Sequence, residues 1–195
     1  KEKIIPVAFK GTAERNLAEL IHNELNFSQM EVNENTVDTC IDYLSRHMFG
    51  ILARAKQMCI DPQMACRGLF KAGANANGLL SQVRTNSKID AIVEQLKQNE
   101  FNGDSKIVFC FYRSEMDKFE KILEKDFVVE KIDGRSSKKE RDSILLRDNI
   151  DILLIQIQTG CEGLNLQQYS EIYFTSPHWN PAVEDQAIAR AHRMG

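Results

Sequence analysis

The chain has 195 residues, 43% of them hydrophobic and 27% charged, with a formal net charge of −3. That balance describes a folded chain with one sizeable core and room for an appendage. It excludes a uniformly basic nucleic-acid domain, though not a local basic groove. No apolar run approaches the roughly 20 residues that cross a bilayer, and no signal-like N-terminus is visible, so an intracellular protein is expected. The five cysteines, Cys40, Cys59, Cys66, Cys110 and Cys161, are scattered without a CxxC pair and read as buried free thiols. His22, His47, His178 and His192 show no ligand spacing, so no metal site is expected. Lys1 is not a methionine and Gly195 interrupts a helical pattern, from which the chain is expected to be part of a longer protein.

In chain order, Lys1 to Phe9 is short and mixed, an edge strand or an incoming linker. Thr12 to Glu24 reads as a helix, capped by Thr12, with Leu17, Leu20 and Ile21 at helical spacing. A polar gap covers Asn26 to Asn35. Val37 to Ile60 carries a long helical pattern that Asp61-Pro62 stops. Arg67 to Arg84, rich in Gly, Ala and Asn, reads as a mobile loop; it holds no GK[ST] and is not a P-loop. Ser87 and Asp90 mark a helix start, with Ile89, Ile92, Val93 and Leu96 as its apolar face, and Asn102-Gly103 turns the chain.

From there the pattern is regular. Ile107 to Tyr112 reads as a buried strand, Ser114 to Lys125 as a helix and Phe127 to Ile132 as a strand. Asp133-Gly134 is a turn, and Ser137 with Glu140 forms a capping box for a helix through Arg147. Ile152 to Ile157 and Glu171 to Phe174 are further strands. Strands alternating with helices imply a parallel sheet, and continuous apolar strands imply helices on both faces. Ligands to such sheets gather at the carboxyl ends of strands. Tyr112-Arg113, Gly134-Arg135, Gly160 to Asn165 and Ser176 to Trp179 all follow strand ends.

The last stretch is the most informative. Asn180 is a good N-cap, Pro181 suits the first helical position, and Glu184 and Asp185 lie near the positive end of the dipole. Val183, Ala187 and Ala191 share one stripe; Gln186, Arg190 and Arg193 share another, at offsets of four and then three. Two guanidiniums on one face form either a solvated basic surface or a clamp for an anion such as phosphate.

The runs EGLNL (Glu162 to Leu166), WNPAVED (Trp179 to Asp185) and QAIARAHRMG (Gln186 to Gly195) together resemble the end of a SWI/SNF-type ATPase lobe, among the superfamily-two helicases. The resemblance covers Lys88 to Gly195 well and the rest loosely, where LARAKQMCIDPQM (Leu52 to Met64) resembles the segment between the two motor lobes. It implies residues 1–85 as an interlobe helical protrusion with a mobile loop at 67–84. Residues 86–195 become a RecA-like second lobe, truncated at its C-terminal end.

By resemblance, Arg190 and Arg193 of motif VI reach the phosphates of ATP, with Gln186 supporting them. Gly160, Glu162, Gly163 and Asn165 of motif V couple nucleotide to DNA. Tyr112, Arg113, Gly134, Arg135, Ser136, Gln158 and Thr159 contact the DNA backbone. ATP and Mg²⁺ would be bound mainly by the first RecA-like lobe of the same protein, and double-stranded DNA is the second partner, in the nucleus or the cytoplasm. The fragment alone would be inactive, since nothing in it supplies a P-loop lysine or an Asp-Glu box.

Gln158 and Cys161 depart from the basic residue and paired glycines of many relatives, implying a weaker phosphate contact or altered coupling. Trp179 reads as packing under its loop, with a DNA or interlobe contact as the second reading; His178 and His192 read as structural. A strand-separating helicase lobe and an inert DNA- or protein-binding lobe are the alternatives. A parent showing DNA-stimulated ATPase without unwinding would argue against the former, and intact Arg190 and Arg193 argue against the latter.

Overall fold

The computed structural model describes residues 3–23, 49–71, 81–98, 104–160 and 163–191. The chain divides into two compact units, Lys1–Asp90 and Ala91–Gly195.

In the first unit, helix α1 (Thr12–Asn23) buries Leu17, Ala18 and Ile21 against α2 (Phe49–Ile60) and α3 (Pro62–Lys71). Ala55 and Met58 of α2, Ala65 and Cys66 of α3, and Val83 complete this core. Of the thiols expected to be buried, Cys66 and Cys110 lie inside, but Cys59 is exposed. Residues 3–9 adopt neither helix nor strand. The expected long helix is seen as α2; its portion from 37 to 48, and the turn at Asn102-Gly103, lie outside the described residues. Asp61-Pro62 does end α2, but it also starts α3. Proline needs no amide partner at a first helical position, and Asp61 Oδ1 accepts the Gln63 N–H at 3.1 Å. The loop expected at 67–84 is therefore helical up to Lys71 and again at 81–82, while 72–80 lie outside the described residues.

One buried carboxylate ties this unit together. Glu14, 2% exposed, accepts from Thr85 Oγ1 at 2.7 Å, from the Ser87 N–H at 3.0 Å and from Ser87 Oγ at 2.6 Å. The Lys10 N–H donates to Ser87 Oγ at 2.7 Å. Ser87 is thus occupied by Glu14 and opens the next helix without capping it. The cap of α4 (Ser87–Gln98) is Asn86, whose Oδ1 accepts the Ile89 N–H at 3.3 Å.

The second unit is built on four parallel strands: β1 (Lys106–Cys110), β2 (Val129–Ile132), β3 (Ile152–Gln156) and β4 (Glu171–Phe174), in the order β2-β3-β1-β4. Phe109 lies beside Ile155 on one side and Phe174 on the other. The central strand β1 is buried throughout and β3 nearly so, whereas the edge strands β2 and β4 are half-buried. Burial of every residue of a strand requires cover on both sheet faces. Helix α5 (Arg113–Leu123) packs on β1, β2 and β3, with Met116, Phe119 and Leu123 buried. Helix α6 (Lys138–Leu145) begins at the expected capping box. The Glu140 N–H donates to Ser137 Oγ at 3.3 Å, and the Ser137 N–H donates to Glu140 Oε2 at 2.7 Å. After β3 comes a single helical turn, α7 (Ile157–Gly160), and after β4 the helix α8 (Pro181–Ala191).

Two substitutions test these supports. Glu14→Ala strands the Ser87 amide and removes three charge-assisted bonds, and is expected to lower the stability of the first unit by about 2–4 kcal/mol, read as a fall in its urea midpoint. Ser137→Ala removes one cap and is expected to cost the second unit about 1 kcal/mol in the same measurement.

Candidate functional site

Because the four strands run parallel, their carboxyl ends Cys110, Ile132, Gln156 and Phe174 share one edge of the sheet. Cys110 is in register with Gln156, and Ile132 with Ile155. The loops leaving that edge carry most of the residues expected at the site.

The loop after β1 is shaped by Glu115, a fully buried residue whose Oε2 accepts the Phe111 N–H at 2.9 Å and the Tyr112 N–H at 3.1 Å. These two amides leave the sheet ladder, so Phe111 and Tyr112 belong to the loop although their side chains are apolar. Arg113 opens α5 and is exposed, and Tyr112 is half-buried. Beside it, burial pushes the Cys110 thiol well above its usual range, with the Glu115 charge adding to the effect.

The loop after β2 is organised by Asp133. Its carboxylate accepts the Arg135 N–H at 2.8 Å, Arg135 Nε at 3.0 Å and Arg135 Nη2 at 2.5 Å. The Asp133 N–H donates to Ser136 Oγ at 3.1 Å, and Arg141 Nε donates to the Ser136 carbonyl at 2.9 Å. The Arg135 guanidinium holds the Asp133 carboxyl below the ordinary carboxylate range against the opposing effect of burial, helped by the Arg135 amide and by the charge of Arg113. The Gly134 N–H reaches Gln156 Oε1 at 3.4 Å, joining this loop to the end of β3.

After β3, Ile157 and Thr159 are buried and Gln158 is exposed. Thr159 is thus largely enclosed by the turn. Gly163 has φ +68°, the left-handed region where a side chain is strained, so glycine is needed there for its backbone. Leu164 and Leu166 are buried on either side of exposed Asn165. Cys161 and Glu162 lie outside the described residues, as does the side-chain environment at Gly160.

After β4, Thr175 N–H and Oγ1 both donate to the Phe109 carbonyl, at 3.1 and 3.2 Å. The His178 ring lies 5.6 Å from that of Phe111, so the loops after β4 and β1 meet. His178 Nδ1 lies 3.1 Å from both the Asn180 backbone nitrogen and the Asn180 carbonyl oxygen, which ties the ring to the start of the next helix. Asn180 Oδ1 accepts the Ala182 N–H at 3.1 Å, as expected of the cap. Glu184 does more than meet the dipole: its Oε1 accepts the His178 N–H at 2.6 Å and sets the entry into α8. Trp179 is 61% exposed, which overturns the reading that it packs beneath its loop.

Helix α8 buries the stripe expected of it: Ala187 and Ala191 are in the core, with Val183 packed against it. Gln186 is exposed and Arg190 half-buried. The helix packs on the turn α7, and the Leu166 N–H donates to the Arg190 carbonyl at 3.2 Å. Motif V and the helix bearing Arg190 are therefore joined through backbone. Arg193 and His192 lie outside the described residues.

Sequence reasoning missed two carboxylates, Asp133 and Glu115. Each had a signal in its spacing: an acid two residues before an arginine, and an acid at the third position of a helix following a strand.

Comparison with known proteins agrees with this geometry. Residues 87–195 match the helicase conserved C-terminal domain family. The DNA repair protein RAD5 of Debaryomyces hansenii is 36% identical over 130 residues, covering 60% of this chain and 11% of that protein. RAD5 of Saccharomyces cerevisiae is 35% identical over 150 residues, 67% of this chain and 13% of that protein. The chain thus spans only about a tenth of the length of these curated relatives. Among solved structures, the C-terminal part of the Fun30 ATPase domain superposes with a TM-score of 0.64 at 15% identity, covering 98% of this chain and 80% of that one. The Sulfolobus solfataricus SWI2/SNF2 ATPase core in complex with dsDNA gives a TM-score of 0.62 at 20% identity, covering 96% of this chain and 36% of that one. The chain belongs to the helicase conserved C-terminal domain family, and its all-parallel sheet has the RecA-like fold seen in those solved SWI2/SNF2-type C-terminal lobes.

Proposed function

We propose that this chain is the second lobe of an ATP-dependent translocase that moves on double-stranded DNA and remodels protein–DNA complexes. The observation that carries the reading is the joining of motif V to the Arg190 helix through Leu166 N–H and the Arg190 carbonyl, on the same unit whose strand-end loops present Arg113 and Arg135. The relatives named DNA repair proteins and the neighbour described in complex with dsDNA support a duplex as the track.

The chemistry follows from the charges. Transfer of a phosphoryl group needs its oxygens neutralised, and a planar guanidinium meets them with paired N–H bonds. Arg190 and Arg193 fill that role when a first RecA-like lobe closes on the bound ATP, with Gln186 beside them. Mg²⁺ and the nucleotide are held mainly by that first lobe. The part of this lobe is to supply arginines. Arg113, Gly134, Arg135 and Ser136 follow the DNA backbone from the neighbouring loops, positioning the lobe without reading bases. Gln158, exposed on α7, adds a neutral donor to that surface.

Two outcomes test the reading. Residues 1–195 alone are expected to hydrolyse no ATP, with or without duplex DNA; a DNA-stimulated turnover by this piece would contradict a one-lobe role. In the two-lobed parent, Arg193→Ala is expected to lower ATP turnover by about 10³–10⁵ while nucleotide binding persists, and Arg193→Lys is expected not to restore it. Turnover within a few-fold of the parent would make Arg193 a surface charge.

A further inference from the structure

We propose that Asp133 is a positioning residue for DNA: it grips one edge of the Arg135 guanidinium so that the other edge is presented to a backbone phosphate. The proposal rests on the reading of Arg135 as a DNA contact and deepens it.

The two partners are unequally placed. The Asp133 side chain is 5% exposed and the Arg135 side chain 60% exposed, at a separation of 2.5 Å. The carboxylate is anchored from behind: the Arg135 N–H binds Oδ1, and the Asp133 backbone is locked by Ser136 at both its N–H and its carbonyl. A carboxylate held in that way does not follow its partner outward. The contact uses Nε and Nη2, one side of the fork. A guanidinium has five N–H donors, and those on the Nη1 side remain for a second anion. Arg113 lies near enough to act on Asp133 electrostatically, and Asp117 near enough to act on Arg135. An arginine held at one edge has already lost much of the side-chain freedom that binding would otherwise remove.

Positioning and simple electrostatics give opposite signs, which makes the proposal testable. Asp133→Asn removes a negative charge from a DNA-facing loop, and charge alone would tighten binding. Loss of orientation weakens it. The measurement is anisotropy of residues 1–195 on a labelled 20-base-pair duplex across a series of salt concentrations, with thermal melts for each variant. Asp133→Asn is expected to bind roughly three- to ten-fold more weakly, with the slope of log K on log salt smaller by about 0.9, one phosphate's worth. In an Arg135→Ala background the Asp133→Asn substitution is expected to change nothing further. Unchanged or tighter binding by Asp133→Asn overturns the proposal and leaves the DNA reading standing. No duplex binding by the unaltered chain overturns both. Should Asp133→Asn fail to fold, Arg135→Lys decides: it keeps the charge and loses the shared fork, so it is expected to bind as poorly as Arg135→Ala, and wild-type affinity would overturn the proposal.

Discussion

Parallel register is the constraint on which the second unit depends. Four strands hydrogen-bonded in one direction put four carboxyl ends on one edge, and every connecting loop must begin there. The buried strands β1 and β3 lie at the centre, so the sheet cannot shift without exposing Ile107, Phe109, Leu153 and Ile155. Moving one strand by a single residue would turn its whole apolar set the wrong way. The chemistry-bearing loops inherit their placement from that core and need only local ties.

Those local ties are mostly carboxylates. Glu115 folds the loop after β1 back on its helix, Asp133 shapes the loop after β2, and Glu184 sets the entrance to α8. Each accepts a backbone amide and so fixes the direction of the chain. The basic side chains can then face outward from a chain whose net charge is −3. Acids hold the frame, and arginines occupy its rim.

Much of this was legible in the sequence because burial and capping leave regular marks. Strand β4 has the limits its apolar run implied, and α8 begins at Asn180-Pro181 for the reasons of capping chemistry. The Ser137–Glu140 box and the buried stripe of α8 were equally plain. Where the reading failed, an apolar or punctuating residue had a second use. Phe111, Tyr112 and Ile157 extend their apolar runs past the strands, yet the first two give their amides to Glu115 and the third packs in the turn α7. Pro62 was read as a stop although proline starts helices as readily as it ends them. Ser87 does open its helix as expected, but its hydroxyl is held by a buried acid 73 positions away and Asn86 supplies the cap. Trp179 was expected inside because of its size, and nothing in the local pattern marks it as exposed. Long-range pairing and the outward side of a loop leave no periodic trace.

In the proposed function one sheet edge serves two ligands through different loops. Hydrogen exchange on the two-lobed parent, with a non-hydrolysable ATP analogue, with duplex DNA and with both, tests it most directly. The account predicts that nucleotide slows exchange at the Leu166 amide and along α8, and that DNA alone slows it at Tyr112, Arg113 and Gly134 to Ser136. Protection of α8 by DNA alone, with the loops after β1 and β2 unaffected by DNA, would contradict it.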